Sequence, residues 1–343
     1  MDRVDHQLVH CLQRDGRASF RRIAETLGVS EQTVARRFRR LEEDGALRVV
    51  TMSDARAEGL HEWFVRIHCR PHAAAALADA LAARDDVAWV NITAGGGEII
   101  ATTRSDPRSA QGSVLLERLP RTQQVLSFAA YRVLHMHVGG DAEWAAFGEP
   151  LGAAQLERFL ADGPDHPVTA RSTDLLREED APLLAALARD GRAGVVALAR
   201  ATGWPPSRVA ARVEELFVSG AVHTEVDLAV ARFGVLAPAY VWLTVDAGEL
   251  ESVGRTLSRH PETAFAAAVT GTANLITTVS CRTDDELYAY VTTKVGALPG
   301  VRQTEVVPVL RRVKQSRTLE RDGRLVAAPV PAATPVTAGV TRG

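Results

Sequence analysis

Two stretches 175 residues apart carry the same pattern, and that repeat constrains the fold of this 343-residue chain more than any other feature. Residues 5–17 read DHQLVHCLQRDGR and residues 180–192 read DAPLLAALARDGR. Asp5 meets Asp180, Leu8 meets Leu183, and Arg14-Asp15-Gly16-Arg17 meets Arg189-Asp190-Gly191-Arg192. Val34, Arg37, Leu41 and Gly45 then meet Val209, Arg212, Leu216 and Gly220. At offset 176, Phe64–Ile67 aligns with Tyr240–Leu243, and Val90–Gly95 with Ala266–Gly271. An ordered match of this length marks a duplicated unit. Each copy is a small helical module followed by a mixed α/β module.

The helical module is read from periodicity and caps. Leu8, Val9 and Leu12 give the apolar face of a first helix, which Gly16 ends. Ser19 caps a second helix with Ile23, Ala24 and Leu27 inward. Gly28-Val29 makes the turn, and Ser30 caps a third helix that stops at Gly45. Three helices with a glycine-bearing turn before the last is the helix-turn-helix pattern. In the second α/β module, residues 239–245, 263–270, 274–281 and 301–313 read as strands, with helices at 249–259 and 284–297. Copy one repeats the strands near 62–69, 87–93, 98–104 and 125–137. The fold class is therefore α+β: two helix-turn-helix, winged-helix-like modules alternating with two ferredoxin-like βαββαβ modules.

The domain boundaries follow. Residues 1–50 and 51–140 are the first helical and α/β modules. A Gly/Pro-rich linker spans 141–172, with a short helix at 153–161. Residues 173–225 and 226–316 are the second pair, and 317–343 is a disordered tail. The two α/β modules are expected to pack together within the chain as a pseudo-dimer, with further homo-oligomerisation beyond it. A single sheet core continuous through both copies is the outcome that would count against separate modules.

Composition narrows the functional class. No apolar run is long enough to span a bilayer and the N-terminus carries no apolar secretory core, so a cytoplasmic protein without membrane contact is expected. Cys11, Cys69 and Cys281 are isolated and read as buried hydrophobes. No GxSxG, Walker or dinucleotide fingerprint is present, so neither an enzyme nor a bound cofactor is expected. His135 and His137 share a strand face, but no third metal ligand has convincing spacing.

The third helix carries the chemistry. At about 100° per residue, Val34, Phe38 and Leu41 share one face. Gln32, Thr33, Arg36, Arg39 and Arg40 share the opposite one. A recognition helix needs this layout, with N-terminal side chains at base edges and later cations at phosphates. Gln pairs with adenine and Arg with guanine through two atoms each. The candidate DNA-binding residues are Arg21, Arg22, Ser30, Gln32, Thr33, Arg36, Arg37, Arg39 and Arg40, with Arg37 bordering the core. Gln32, Thr33 and Arg36 are expected to choose the sequence, and Arg40 to set affinity and its salt dependence. The alternative is an ordinary charged helix, for which Glu31, Glu42, Glu43 and Asp44 speak.

Residues 5–47 resemble the leucine-responsive/asparagine-type (Lrp/AsnC) regulators. The cues are Asp5, Asp15-Gly16-Arg17, Leu27-Gly28-Val29-Ser30, Arg37, and Leu41-Glu42-Glu43 with Gly45. The likeness extends over nearly all of 1–140 and again over 175–316, in a tandem form that departs from the family's usual single copy. It implies a regulator of double-stranded DNA whose α/β modules pair and sense an amino acid or similar small metabolite. It also implies an effector near the turn between the middle strands. The candidate ligand residues are therefore Gly95, Gly96 and Gly97 in copy one and Gly271, Thr272 and Asn274 in copy two. Amides of a glycine turn can meet a carboxylate, although a plain hairpin turn needs glycine equally. Asn274 stands where the family has an acidic residue. Siroheme decarboxylases resemble the same two-module plan, but the strand segments VAWVNITAGGG and AFAAAVTGTAN lack their His and Arg. A sensing protein that has lost DNA binding is the remaining alternative.

The copies are not equivalent. Arg36, Arg39 and Arg40 become Ala211, Glu214 and Glu215. Arg21 and Arg22 become Val196 and Ala197, and Ser30-Glu31 becomes Pro205-Pro206. Anions in place of cations repel phosphate, so the first copy is expected to carry recognition and the second only to fold. With one competent reader per chain, strong specificity would require two chains at spaced half-sites.

Overall fold

Helix α1 (Arg3–Arg14) starts where the carboxylates of Asp2 and Asp5 each accept the other residue's amide N–H, a reciprocal cap. Ser19 caps α2 (Phe20–Leu27), which ends at Gly28 with φ 68°, a left-handed conformation without penalty only for glycine. Ser30 caps α3 (Glu31–Glu43) by accepting the Thr33 amide. Leu8, Leu12, Ile23, Val34 and Leu41 close the core between these helices. These elements belong to a computed structural model that describes residues 1–108, 119, 122–139, 150–161, 163 and 175–328.

The second helical module repeats this core. Between α6 (Ala181–Arg189), α7 (Val195–Thr202) and α8 (Pro206–Val218), the side chains of Leu183, Leu187, Leu198, Val209 and Leu216 are buried. They are the repeat counterparts of the five residues above. The expected short helix at 153–161 is α5 (Ala153–Ala161), and its Phe159 is buried in the first module's core. This part of the linker is thus packed structure; the rest, apart from 150–152 and 163, lies outside the described residues.

A strand follows each helical module. β1 (Leu47–Ser53) and β6 (Val222–Leu228) pair antiparallel, and Val50 faces its own counterpart, Glu225. A pseudo-two-fold axis therefore passes through that pair. The helical modules meet across it. Arg17 donates to the carbonyls of Gly191 and Ala193, and Arg192 donates to those of Gly16 and Ala18. Gly191 permits this approach, since a Cβ there would lie 2.8 Å from the Val50 backbone.

The first α/β module comprises β2 (His61–Cys69), α4 (Ala74–Ala82), β3 (Val87–Thr93), β4 (Glu98–Ser105) and β5 (Val125–Val138). The second comprises β7 (Ala237–Val245), α9 (Leu250–Leu257), β8 (Thr263–Val269), β9 (Leu275–Cys281), α10 (Asp284–Ala289), continued by a π-helical stretch over Tyr290–Val295, and β10 (Val301–Gln315). β5 and β10 are long enough, at 14 and 15 residues, to pair in both copies. β5 pairs with β2 and then β8, and β10 with β7 and then β3. The two crossings are the same contact repeated: Val133 faces Val269, and Val309 faces Thr93.

Backbone pairing is therefore continuous through both copies and closes the strands β3-β4-β2-β5-β8-β9-β7-β10 into a ring. The cores nevertheless stay separate. α4 covers Val65, Ile67 and Ile99, whereas α9 covers Val241, Leu243 and Leu275. A third cluster lies between the sheet faces, where Phe64 meets its counterpart Tyr240 edge-on at 6.5 Å and Arg66 stacks on its counterpart Trp242 at 5.0 Å. The expected intrachain pseudo-dimer is thus present, joined by shared strands as well as by packed faces.

The tail differs from expectation. β11 (Thr318–Arg321) and β12 (Arg324–Ala327) form a hairpin beside β10, and the Leu325 amide donates to the Gly45 carbonyl at 2.8 Å. Residues 329–343 lie outside the described residues. No helix among the described residues is long and apolar enough to cross a membrane.

Candidate nucleic-acid interface and effector chamber

The buried face of α3 sets which cations reach solvent. With Val34, Phe38 and Leu41 inward, Gln32, Arg36 and Arg39 are exposed. Arg36 makes no hydrogen bond or ion pair among the described residues, and Arg39 bonds only to the Ala35 carbonyl at 3.3 Å. Arg21 is 79% exposed and pairs with Glu25 on its own helix, a surface contact that is easily exchanged for a phosphate.

Other candidates are tied into the fold, wholly or, for Arg40, in part. Arg37 is held by Asp2 at 2.7 Å and by the buried Asp5 at 2.8 Å. The Arg37 hydrogen bond holds the Asp2 carboxyl below its ordinary range. Arg40 also reaches Asp5, at 2.6 Å, while half of its side chain stays exposed. Arg22 does not belong to the reading face: it pairs with Asp15 at 2.7 Å and stacks on Phe159 at 4.3 Å, which fixes α5 to α2. The Ser30 hydroxyl bonds to the Thr33 amide and hydroxyl, so both residues build the helix N-terminus. Asp5 and Asp15 were not among the candidate residues. Their repetition at 180 and 190 was the available signal.

In α8 the cations are neutralised. Arg212 is buried against Asp180 at 2.5 Å and pairs with Glu215 at 2.7 Å. Burial pushes the Asp180 carboxyl up, but the Arg212 hydrogen bonds and charge outweigh it and leave its pKa lowered. Arg208 stacks on Trp204 at 4.0 Å and pairs with Glu179 at 2.6 Å. The helix begins Pro205-Pro206, so its cap and first residue lack the amide N–H, and the cap lacks the hydroxyl, that Ser30-Glu31 supply at the start of α3.

A cavity of about 630 Å³ lies between the β1–β6 pair and the strand ring. Both repeats contribute to its wall, including Arg104, Arg132, Arg312, His61, His135 and His223. Buried polar atoms at this wall lack partners: Nε of Arg104, Nε of Arg312, Oδ1 of Asn91 and Nδ1 of His223. Such atoms are costly unless a polar ligand or water meets them. Burial depresses the His223 imidazole to about 4, so it is neutral at pH 7. Glu62, Glu225 and Asp54 give the wall acidic positions as well.

The expected glycine turns do not line this chamber. Asn274 bonds to both backbone groups of Val245 at 2.8 Å, which ties the turn to the end of β7. Thr272 offers its carbonyl to Thr244, and Gly271, with φ 109°, lies against the Tyr131 ring. Gly95 and Gly96 have positive φ, with open space around them, and Gly97 closes the turn onto Ala94. These residues make turns, and the chamber is assembled instead from strands far apart in sequence.

Sequence families agree with this architecture. The AsnC-type helix-turn-helix domain model matches residues 1–42 and 179–216, and the Lrp/AsnC ligand binding domain model matches 238–319. The chain is 25% identical over 147 residues to the HTH-type transcriptional regulator FL11 of Pyrococcus horikoshii, covering 42% of this chain and 95% of that protein. It is 28% identical over 141 residues to an uncharacterized HTH-type transcriptional regulator of Pyrococcus abyssi, covering 41% and 89%. Among solved structures, the siroheme decarboxylase NirDL has the same tandem fold: TM-score 0.59 at 14% identity, over 92% of this chain and 93% of that one.

Fold and matches together define a tandem protein of paired helix-turn-helix and ferredoxin-like modules. Both copies carry an AsnC-type helix-turn-helix domain, and the second carries an Lrp/AsnC ligand binding domain, so the chain has the domain set of the Lrp/AsnC regulators.

Proposed function

We propose that this chain is a sequence-specific DNA-binding transcriptional regulator, read out through α3 and controlled by a small-molecule effector. The observation that carries the reading is the contrast between a third helix with free outward cations and a counterpart helix whose two arginines are both paired. Gln32 and Arg36 project from the first half of α3, where base edges are met, and Arg39, Arg40 and Arg21 are disposed for phosphates. One reader per chain favours two chains on DNA, hence a higher homo-oligomer.

The chamber is our candidate for the effector site. Its volume lies in the range of small-molecule pockets and leaves room for a metabolite larger than a single amino acid. A mobility-shift titration against the gene's own upstream DNA tests the reading: a discrete, competitor-resistant complex is expected, and its absence would count against a regulator.

A second reading, an enzyme like the siroheme decarboxylases, draws on the full-length fold likeness and on the arginines in the chamber wall. Incubation with siroheme separates the two: carbon dioxide release without a DNA complex would favour the enzyme.

A further inference from the structure

We propose that His135, His137 and Glu251 form a binding site for one zinc-type divalent cation, joining the first repeat to the second. His135 and His137 lie on β5, and Glu251 lies on α9 of the other copy. Their donor atoms all fall within 4.8 Å of one another. The two imidazole rings are 4.7 Å apart and nearly perpendicular. Nδ1 of His137 stands 3.9 Å from Oε2 of Glu251, while the other carboxylate oxygen is held by Arg255 at 2.7 Å. Two imidazoles and a carboxylate are a donor set that suits zinc and leaves a position open.

His137 is the fixed member of the set. Its side chain is only 4% exposed, and its Nε2 is buried without a hydrogen-bond partner. The ring lies directly on α9 because residue 254 is glycine; a Cβ there would sit 2.2 Å from Nε2. Ligand atoms around a tetrahedral zinc lie roughly 3.3 Å apart, given bonds of about 2.0–2.1 Å. The set must therefore contract slightly, and the exposed side chains of His135 and Glu251 are free to do so.

The repeat argues against packing alone as the origin of this cluster. The counterparts of His135, His137, Glu251 and Gly254 are Arg311, Val313, Ala75 and Ala78: Val313 and Ala78 are buried in one apolar core, and none of the four is a metal ligand. Only one of the two equivalent positions carries the donors. A cation there would cross-link β5 to α9 beside the β5–β8 joint, and His135 also lines the chamber.

The test is calorimetry and thermal melting of the full chain with zinc chloride alone, with magnesium chloride as control. One zinc per chain is expected, with a raised melting temperature and no magnesium effect. His135→Ala and Glu251→Gln, both at exposed positions, should each weaken zinc by at least about tenfold. The double variant should bind none while its metal-free melt stays unchanged. No stoichiometric zinc, or affinity indifferent to both substitutions, would overturn the proposal.

Discussion

In α3, Arg36 and Arg39 stand in solvent above Val34, Phe38 and Leu41; in α8 the same positions carry Ala211 and Glu214 above Val209, Val213 and Leu216. The inward residues and the pair Asp5–Arg37, repeated as Asp180–Arg212, are retained in both copies. The fold demands these. The outward residues answer only to a partner, and there the copies diverge. The second module retains a structural role, since it supplies the Arg192 half of the reciprocal clamp and the β6 partner of β1.

The sharpest way to break this comparison is at its common element. Asp180→Ala leaves the buried Arg212 guanidinium without its main partner and should cost about 3–5 kcal/mol. Asp5→Ala should cost less, about 1–3 kcal/mol, because Arg40 is half exposed and Arg37 keeps Asp2. Urea melts of the two variants give the order, and equal losses would contradict the distinction.

The clamp should be symmetric where the outer faces are not. Arg17→Ala and Arg192→Ala each remove two charge-assisted bonds to carbonyls and should destabilise by similar amounts, about 1.5–3 kcal/mol. Their double-mutant cycle should be non-additive, since both act at one junction.

A smaller effect lies on β6. Burial raises the Asp227 carboxyl from 3.8 to about 7. The fold keeps this proton between those values while the unfolded chain releases it, so stability falls as pH rises through that window and levels above it. Asp227→Asn should abolish that part of the slope, and its advantage over the parent should grow to about 1–2 kcal/mol by pH 8. Thermal melts across pH 4–8 measure it; parallel curves would remove Asp227 as the cause. Smaller still, Arg40→Gln should reduce the salt slope of DNA binding by about one, and Arg208→Gln should leave it unchanged.

Beyond the repeat itself, what could be read from the chain was local. The caps at Ser19 and Ser30, the turn at Gly28, the helix at 153–161 and the strands of both α/β modules follow from short-range periodicity and turn chemistry. The tail hairpin was legible too, since Asp322-Gly323 between two short strands is a turn sequence, but its Ala/Pro-rich surroundings masked it. The packing of the two α/β modules on each other was legible from the repeat, but strand pairing across the copies was not, because nothing local tells β5 to leave β2 for β8. Arg22 looked like any cation beside a recognition helix, and only the position of Phe159 reveals its other use. The chamber and Glu251's approach to His137 depend on segments of both repeats, so no single stretch announces either.

The central claim, that the first module alone reads DNA, is tested most directly by fluorescence anisotropy with a labelled fragment of the gene's upstream DNA. Arg36→Glu with Arg39→Glu should weaken binding on the order of 100-fold or more, because two outward cations become anions facing phosphate. Arg208→Glu, at a cation already paired with Glu179, should change affinity by less than about twofold. Equal losses from both variants, or a larger loss from Arg208→Glu, would contradict the assignment of recognition to α3.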